Sequence, residues 1–360
     1  MIPVRPVIGP NHRGAILRFV AALGVGAAGG VFFRAIGAPL PWVLGSMAAC
    51  AAASIAGLPV AASSAARRPM AAVIGVVLGS SFRPDLFYQA RDWIVPLALL
   101  PLFLASAAFV CVTYFRRVAK FDPVTAYFAG MPGGIAEMVV MGSERGADER
   151  TVGLIHGARI FLVVFTLPFL IRLVATPVAT PAVAPVTQGN VADLPLLGWS
   201  VGCVVAGLAI GRGLRLPAWH LVGPLAVSAL VHATGIADFR IPAWALAAAQ
   251  VGLGATIGCR FVGLTMRALL RTLLLAAGST VLLLAITVAW ATGIAAATGI
   301  DPVLLVLAYS PGGLAEMSMV ALSLALEPAF VIVHHLTRVV LVLIGAPFAF
   351  RPPPPAPPLS

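Results

Sequence analysis

Apolar residues run through this chain in long continuous blocks separated by short polar joints. The blocks fall at Ile16–Phe33, Pro41–Ala56, Pro69–Phe82, Ile94–Phe115, Asp122–Gly142 and Thr151–Ala175, and again at Leu196–Gly211, Pro217–Thr234, Ile241–Phe261, Ala268–Thr292, Asp301–Ser323 and Pro328–Phe350. Blocks with no polar face predict helices that are buried or in lipid. Several are shorter than the roughly 20 residues of an average membrane span. Two of them, Asp122–Gly142 and Asp301–Ser323, carry a Pro-Gly-Gly step in the middle. Proline removes a backbone donor and clashes with the preceding turn, and glycine weakens a helix. Both segments therefore predict broken helices, which lipid tolerates only where the break is buried in protein or lines a cavity.

The breaks belong to an internal duplication. Met131-Pro132-Gly133-Gly134-Ile135-Ala136-Glu137-Met138 returns as Ser310-Pro311-Gly312-Gly313-Leu314-Ala315-Glu316-Met317, 179 residues later. The same spacing relates Gly75, Gly79 and Phe82 to Gly254, Gly258 and Phe261, Asp122 to Asp301, His156 to His335, Arg159 to Arg338, and Pro168 to Pro347. Chance does not give such a series. It divides the chain into a tail over 1–15, a first membrane repeat over 16–175, a linker over 176–195, a second repeat over 196–350 and a Pro-rich tail over 351–360, expected to be disordered.

Composition fixes the class. The chain is 60% hydrophobic and 10% charged, against about 25% charged in soluble domains, and its mean hydropathy is +1.03. The net charge of +11 reads as basic residues gathered in cytoplasmic loops. That charge also orients the chain. With a cytoplasmic N-terminus and both broken segments re-entrant, sixteen basic residues from Arg5 to Arg351 fall inside. Five, Arg34, Arg83, Arg91, Arg172 and Arg240, fall outside or near an outer end. If both segments crossed the membrane, about half of the inside charges would move out and the positive-inside bias would vanish. The expectation is an all-α polytopic protein with about ten transmembrane helices and two re-entrant hairpins. An odd number of spans per half makes the repeats inverted. Both termini are then cytoplasmic, and no cleavable signal sequence is expected before Pro10.

Candidate chemistry gathers at the breaks. Gly133-Gly134 and Gly312-Gly313 each start a second half-helix, whose N-terminus carries partial positive charge and free amides. Two such ends facing each other make an anion site, or an ion site once carboxylates join. Glu137 and Glu316 are those carboxylates, candidates to carry a proton or sodium. The alternative is a Glu in the first turn that only complements the helix dipole and pairs with an arginine. His156 with Arg159, and His335 with Arg338, lie at i and i+3 on one helical face. They either handle substrate or protons, or form a buried Arg–Glu pair that locks each hairpin to its neighbouring helix, with the histidine as a satisfied core residue; Asp148 and Glu327 sit eight residues before each His, near that face. Asp122-Pro123 and Asp301-Pro302 read as helix caps. The four glycines Gly75, Gly79, Gly254 and Gly258 predict close helix packing in the core. Cys50, Cys111, Cys203 and Cys259 read as small buried hydrophobes.

The duplicated Pro-Gly-Gly-x-Ala-Glu-Met segments, each followed by a His-x-x-Arg helix, and the stretch Gly37-Ala38-Pro39-Leu40-Pro41-Trp42-Val43-Leu44-Gly45 resemble the bacterial AbrB-type duplicated membrane protein family. The resemblance covers about residues 16 to 350. Members of that family are labelled ammonia monooxygenase, AbrB family regulator or AbrB family transporter. It is grouped with cation/proton antiporters, bile-acid-type symporters and dicarboxylate exchangers. The resemblance thus implies a transporter fold of the bacterial inner membrane, and by analogy of fold a homodimer. An oxygenase needs clustered metal ligands, but the six histidines are scattered except for His334-His335. No metal, cofactor or catalytic residue is expected, and the chain is not read as an enzyme. A DNA-binding regulator needs a basic domain outside the membrane, but the longest connection is nearly uncharged. No nucleic-acid partner is expected, so regulation would be indirect. The expected partners are membrane lipid and a small anionic solute with H+ or Na+.

Overall fold

The computed structural model describes residues 12–174, 194–262 and 266–349. The expected tail up to residue 11, almost all of the linker and the Pro-rich tail lie outside the described residues. Within them the chain is all-helical. The first half runs α1 (His12–Ala35), α2 (Pro41–Ile55), α3 (Ser64–Gly79), the one-turn α4 (Leu86–Gln89), α5 (Ile94–Arg117), α6 (Pro123–Gly130), α7 (Ile135–Ser143) and α8 (Glu149–Val174). The second runs α9 (Leu194–Gly213), α10 (Trp219–Ala233), α11 (Ala243–Gly258), α12 (Met266–Thr298), α13 (Pro302–Tyr309), α14 (Leu314–Ser323) and α15 (Pro328–Ala349). Five helices, α1, α5 with its preceding turn, α8, α12 and α15, are long and apolar enough to cross a membrane. The chain is a multi-pass membrane protein. Helices α2 and α10 are shorter, at 15 residues each, which is about 23 Å at helical rise.

The helices sort into two bundles, each drawn from both halves of the chain. Helices α1, α2, α3, α9, α10 and α11 pack chiefly on one another, and α5 to α8 with α12 to α15 form the second group. In the first bundle α3 lies on α10 and α11 lies on α2. Small residues make these approaches possible. A Cβ on Gly75 or Gly79 would meet the carbonyl oxygens of Leu221 and Leu225, and one on Gly254 or Gly258 those of Val43 and Met47. Backbone therefore packs on backbone without a side chain between, as in lipid-embedded bundles. The glycine spacing thus reports close packing, between helices of opposite halves. Ser46 donates to Val251 O at 2.6 Å and Ser228 to Val76 O at 2.8 Å across the same contacts.

In the second bundle, apolar and aromatic packing surrounds the broken helices. Phe103 meets Tyr309 edge-on at 4.8 Å, and the Tyr309 hydroxyl donates to Pro96 O. All four cysteines are buried and free. The Asp148 amide, just beyond α7, donates to Thr125 Oγ1 at the start of α6, at 2.9 Å.

Candidate ion and anion site

Each break begins from a capped start. Asp122 accepts from the Val124 and Thr125 amides at 3.0 and 2.9 Å, and Asp301 accepts from Val303 at 2.7 Å. Both act as helix caps. Burial pushes the Asp122 carboxyl up, but the bonds from Thr125 and Val124 outweigh it and hold it below its ordinary value. The first arm, α6, ends at Met131, and Gly134 opens α7 in extended conformation (φ −70°, ψ 147°). Gly313 opens α14 in the same way (φ −77°, ψ 152°).

The proline of each break leaves one carbonyl without its helical partner. In an unbroken helix the amide of residue 132 would donate to Phe128 O. Proline has no such donor, and a buried carbonyl needs one. His156 supplies it, with Nε2 2.8 Å from Phe128 O. The second half repeats the device, with His335 Nε2 3.0 Å from Leu307 O, four residues before Pro311. His156 Nδ1 in turn accepts from Arg159 Nη2 at 2.7 Å. In His156 these bonds fix the Nε2–H tautomer and engage both ring nitrogens, whereas His335 Nδ1 is buried without a partner. The histidines therefore brace the breaks.

The arginines hold the next carbonyls along. Arg159 Nη2 donates to Met131 O at 3.2 Å. Arg338 donates from Nη1 to Ser310 O at 2.6 Å and from Nη2 to Gly312 O at 2.8 Å. Among the described residues neither arginine forms an ion pair with Glu137 or Glu316, nor with Asp148 or Glu327. Asp148 caps α8 instead, accepting from the amides of Arg150 and Thr151 and from the Thr151 hydroxyl. Glu327 pairs with Arg83 at 3.5 Å. Burial raises the Glu327 carboxyl above its ordinary value, and the Ala329 amide and Arg83 offset this only in part. Arg159 is 1% exposed and Arg338 6%. Nε and Nη1 of Arg159 and Nε of Arg338 are buried without a hydrogen-bond partner. The two guanidinium groups lie within electrostatic reach of each other.

Each glutamate folds back over its own break. A Cβ on Gly134 would fall on the Glu137 carboxylate, and one on Gly313 on that of Glu316. The Met138 side chain covers Gly133 in the same manner, and that of Met317 covers Gly312. Glu occupies the third helical position, from which a carboxylate turns back toward the N-terminus. The start of each second half-helix thus already carries an acidic side chain, and the open donors belong to the arginines. The halves differ in enclosure. Glu316 is buried, at 6% exposure, while Glu137 is half-buried.

One site residue carries no motif. Arg260, just after α11, lies within electrostatic reach of Glu316 and of His156. Its side chain crosses Gly157, where a Cβ would sit 3.2 Å from Arg260 Cδ. With Val139 of α7 and Asp148, Glu149 and Gly153 beside α8, it lines a cavity of about 620 Å³ where the two bundles meet. The duplication puts Ser81 at the matching place in the first half, so repeat comparison passes over Arg260. Among the described residues no three His, Cys, Asp or Glu side chains converge to hold a metal ion.

The family described as "Transition state regulatory protein AbrB" matches residues 42–352. The chain is 28% identical to "Uncharacterized protein YhjN" of Bacillus subtilis (strain 168), with 93% of each chain covered. It is 27% identical to "Putative regulator AbrB" of Escherichia coli (strain K12), over 89% of this chain and 91% of that relative.

Proposed function

We propose that this chain, which belongs to the AbrB family, is an ion-coupled secondary transporter of a small anionic solute, working by alternating access in the bacterial inner membrane. The observation that carries the reading is the pair of buried arginines with unpartnered N–H groups beside the two breaks. An uncompensated buried charge is strongly destabilising, and an anion bound between Arg159 and Arg338 would supply the missing partner. Arg260 adds a third cation near the buried Glu316. Glu137 and Glu316 then take the coupling ion. A proton or sodium on the carboxylate removes the negative charge lying over the half-helix N-terminus and opens the Gly133-Gly134 and Gly312-Gly313 amides to the solute. His156 and His335 position the breaks without touching solute. The chemistry is transport, without an enzymatic step.

The topology belongs to the same reading: about ten spans, inverted repeats, re-entrant hairpins and cytoplasmic termini. It is supported by the bond between Asp148 and Thr125 and by Lys120 and Asp148 lining one cavity. Both ends of the first broken segment thus sit together. A separate cavity of about 730 Å³ is lined by Arg83, Asp238, Arg240 and Glu327, and this reading assigns it to the opposite face. There the Arg83–Glu327 pair ties the loop after α3 to the start of α15, one bundle to the other.

The test uses purified full-length protein in detergent, wild type beside Glu137→Gln, Glu316→Gln and Arg159→Gln. Thermal stability is screened against small carboxylates, amino acids, sodium and pH. A ligand that binds only the folded state raises the midpoint by an amount set by its concentration over its affinity. A carboxylate that stabilises the wild type and not the variants, and that accumulates in liposomes under an ion gradient, is the expected result. No stabilising anion, with variants merely less stable, would reduce the glutamates and arginines to struts. A second reading, a membrane sensor that acts on gene expression indirectly, is favoured by the printed name of the Escherichia coli relative, "Putative regulator AbrB". In that case the same variants alter a transcriptional response while solute uptake stays absent.

A further inference from the structure

A cavity of about 550 Å³ lies among the starts of α6, α8 and α12 in the second bundle, sharing Asp148 and Leu154 with the cavity where the bundles meet. The proposed transport path makes no use of it. Its rim carries Lys120, Arg267 and Arg271, and its apolar lining includes Phe121, Ile155 and Leu275. Arg267 and Arg271 stand four apart on α12, so they share a helical face. Lys120 approaches on the turn after α5, in left-handed backbone at φ 55°.

The charge balance there is one-sided. Both carboxylates on the rim are engaged in helix caps: Asp122 with the Val124 and Thr125 amides, Asp148 with two amides and the Thr151 hydroxyl. The three cations enter no ion pair among the described residues. The N-termini of α6, α8 and α12 add potential of the same sign. A basic mouth over an apolar lining, set between membrane helices, suits a phosphate-bearing headgroup with its chain below.

We propose that this cavity binds a phosphate-bearing anion held by Lys120, Arg267 and Arg271. The same chemistry is offered by an anionic phospholipid and by a free phosphate, and the test separates them. Purified full-length protein in detergent is titrated with phosphatidylglycerol, with phosphatidylcholine, and with inorganic phosphate at matched ionic strength. The readout is the thermal midpoint. Variants are Arg267→Gln with Arg271→Gln, Lys120→Gln alone, and a control, Arg116→Gln with Arg117→Gln, whose charges do not line the cavity.

The expected result is a saturable rise with phosphatidylglycerol and none with phosphatidylcholine. Its apparent affinity falls about fivefold for each lining cation removed and stays unchanged in the control. A rise with phosphatidylglycerol alone assigns the site to lipid. A rise with inorganic phosphate as well assigns it to the phosphate group itself. If the double variant does not fold, Lys120→Gln carries the same comparison. No saturable rise with either anion overturns the proposal, and so does an equal loss in the control.

Discussion

His156 and His335 each answer one covalent fact, a missing proline amide four residues beyond a carbonyl. Replacing His335 with Ala leaves Leu307 O buried and unpartnered, at a cost of about 1–3 kcal/mol. We expect a lower thermal midpoint for His335→Ala and partial recovery for His335→Gln, whose amide can donate. Thermal denaturation of the two variants checks this. The glutamates differ in enclosure, and we expect Glu316→Gln to weaken anion-dependent stabilisation more than Glu137→Gln, read in the same titration. The repeated His-x-x-Arg pattern was legible in the sequence. What it does was not, because both the strut and the ligand reading fit residues at i and i+3. Only the packing of α8 on α6 shows that the imidazole meets the carbonyl the proline released. Arg260 was not legible as a site residue at all, since a basic residue without a repeat partner reads as one more loop charge.

The elements were more readable than their partners. Every apolar block appears as a helix, and both blocks with Pro-Gly-Gly appear as two short helices, because a missing donor and two glycines act locally. The one-turn α4 is too short to leave a periodic signal. The glycine pairs were readable as close packing, but small size alone does not say which backbone approaches, and the partners α10 and α2 emerged only from the fold. Gly254→Val should overpack the contact with Val43 and lower stability by roughly 1–3 kcal/mol, measurable in denaturant or heat. Pro311→Ala is the more informative change. It returns an amide to Leu307 O and frees His335, so α13 gains a bond while the break begins to close. The expected outcome is a thermal midpoint held or raised together with loss of the anion response, a combination that a purely structural break would not give.

For the molecule as a whole, the re-entrant reading makes a prediction about sides. Single cysteines at Lys120 and Asp148 should react with an impermeant thiol reagent from one face of sealed vesicles, and cysteines at Arg83 and Glu327 from the other. Labelling of Lys120→Cys and Asp148→Cys from opposite faces would sink it. The membrane class was plain from composition, whereas the exchange of helices between halves was invisible, because duplication records ancestry and says nothing of who packs on whom. That exchange has a consequence for how the protein is made. Ser46 and its partner Val251 are 205 residues apart in the chain, so at the usual 5–20 residues per second α2 waits about 10–40 s for α11 to be synthesised. A ribosome that stops after α8 leaves the glycine face of α3, and the face of α2 that α11 would cover, bare in the bilayer, open to stray helices and to membrane proteases.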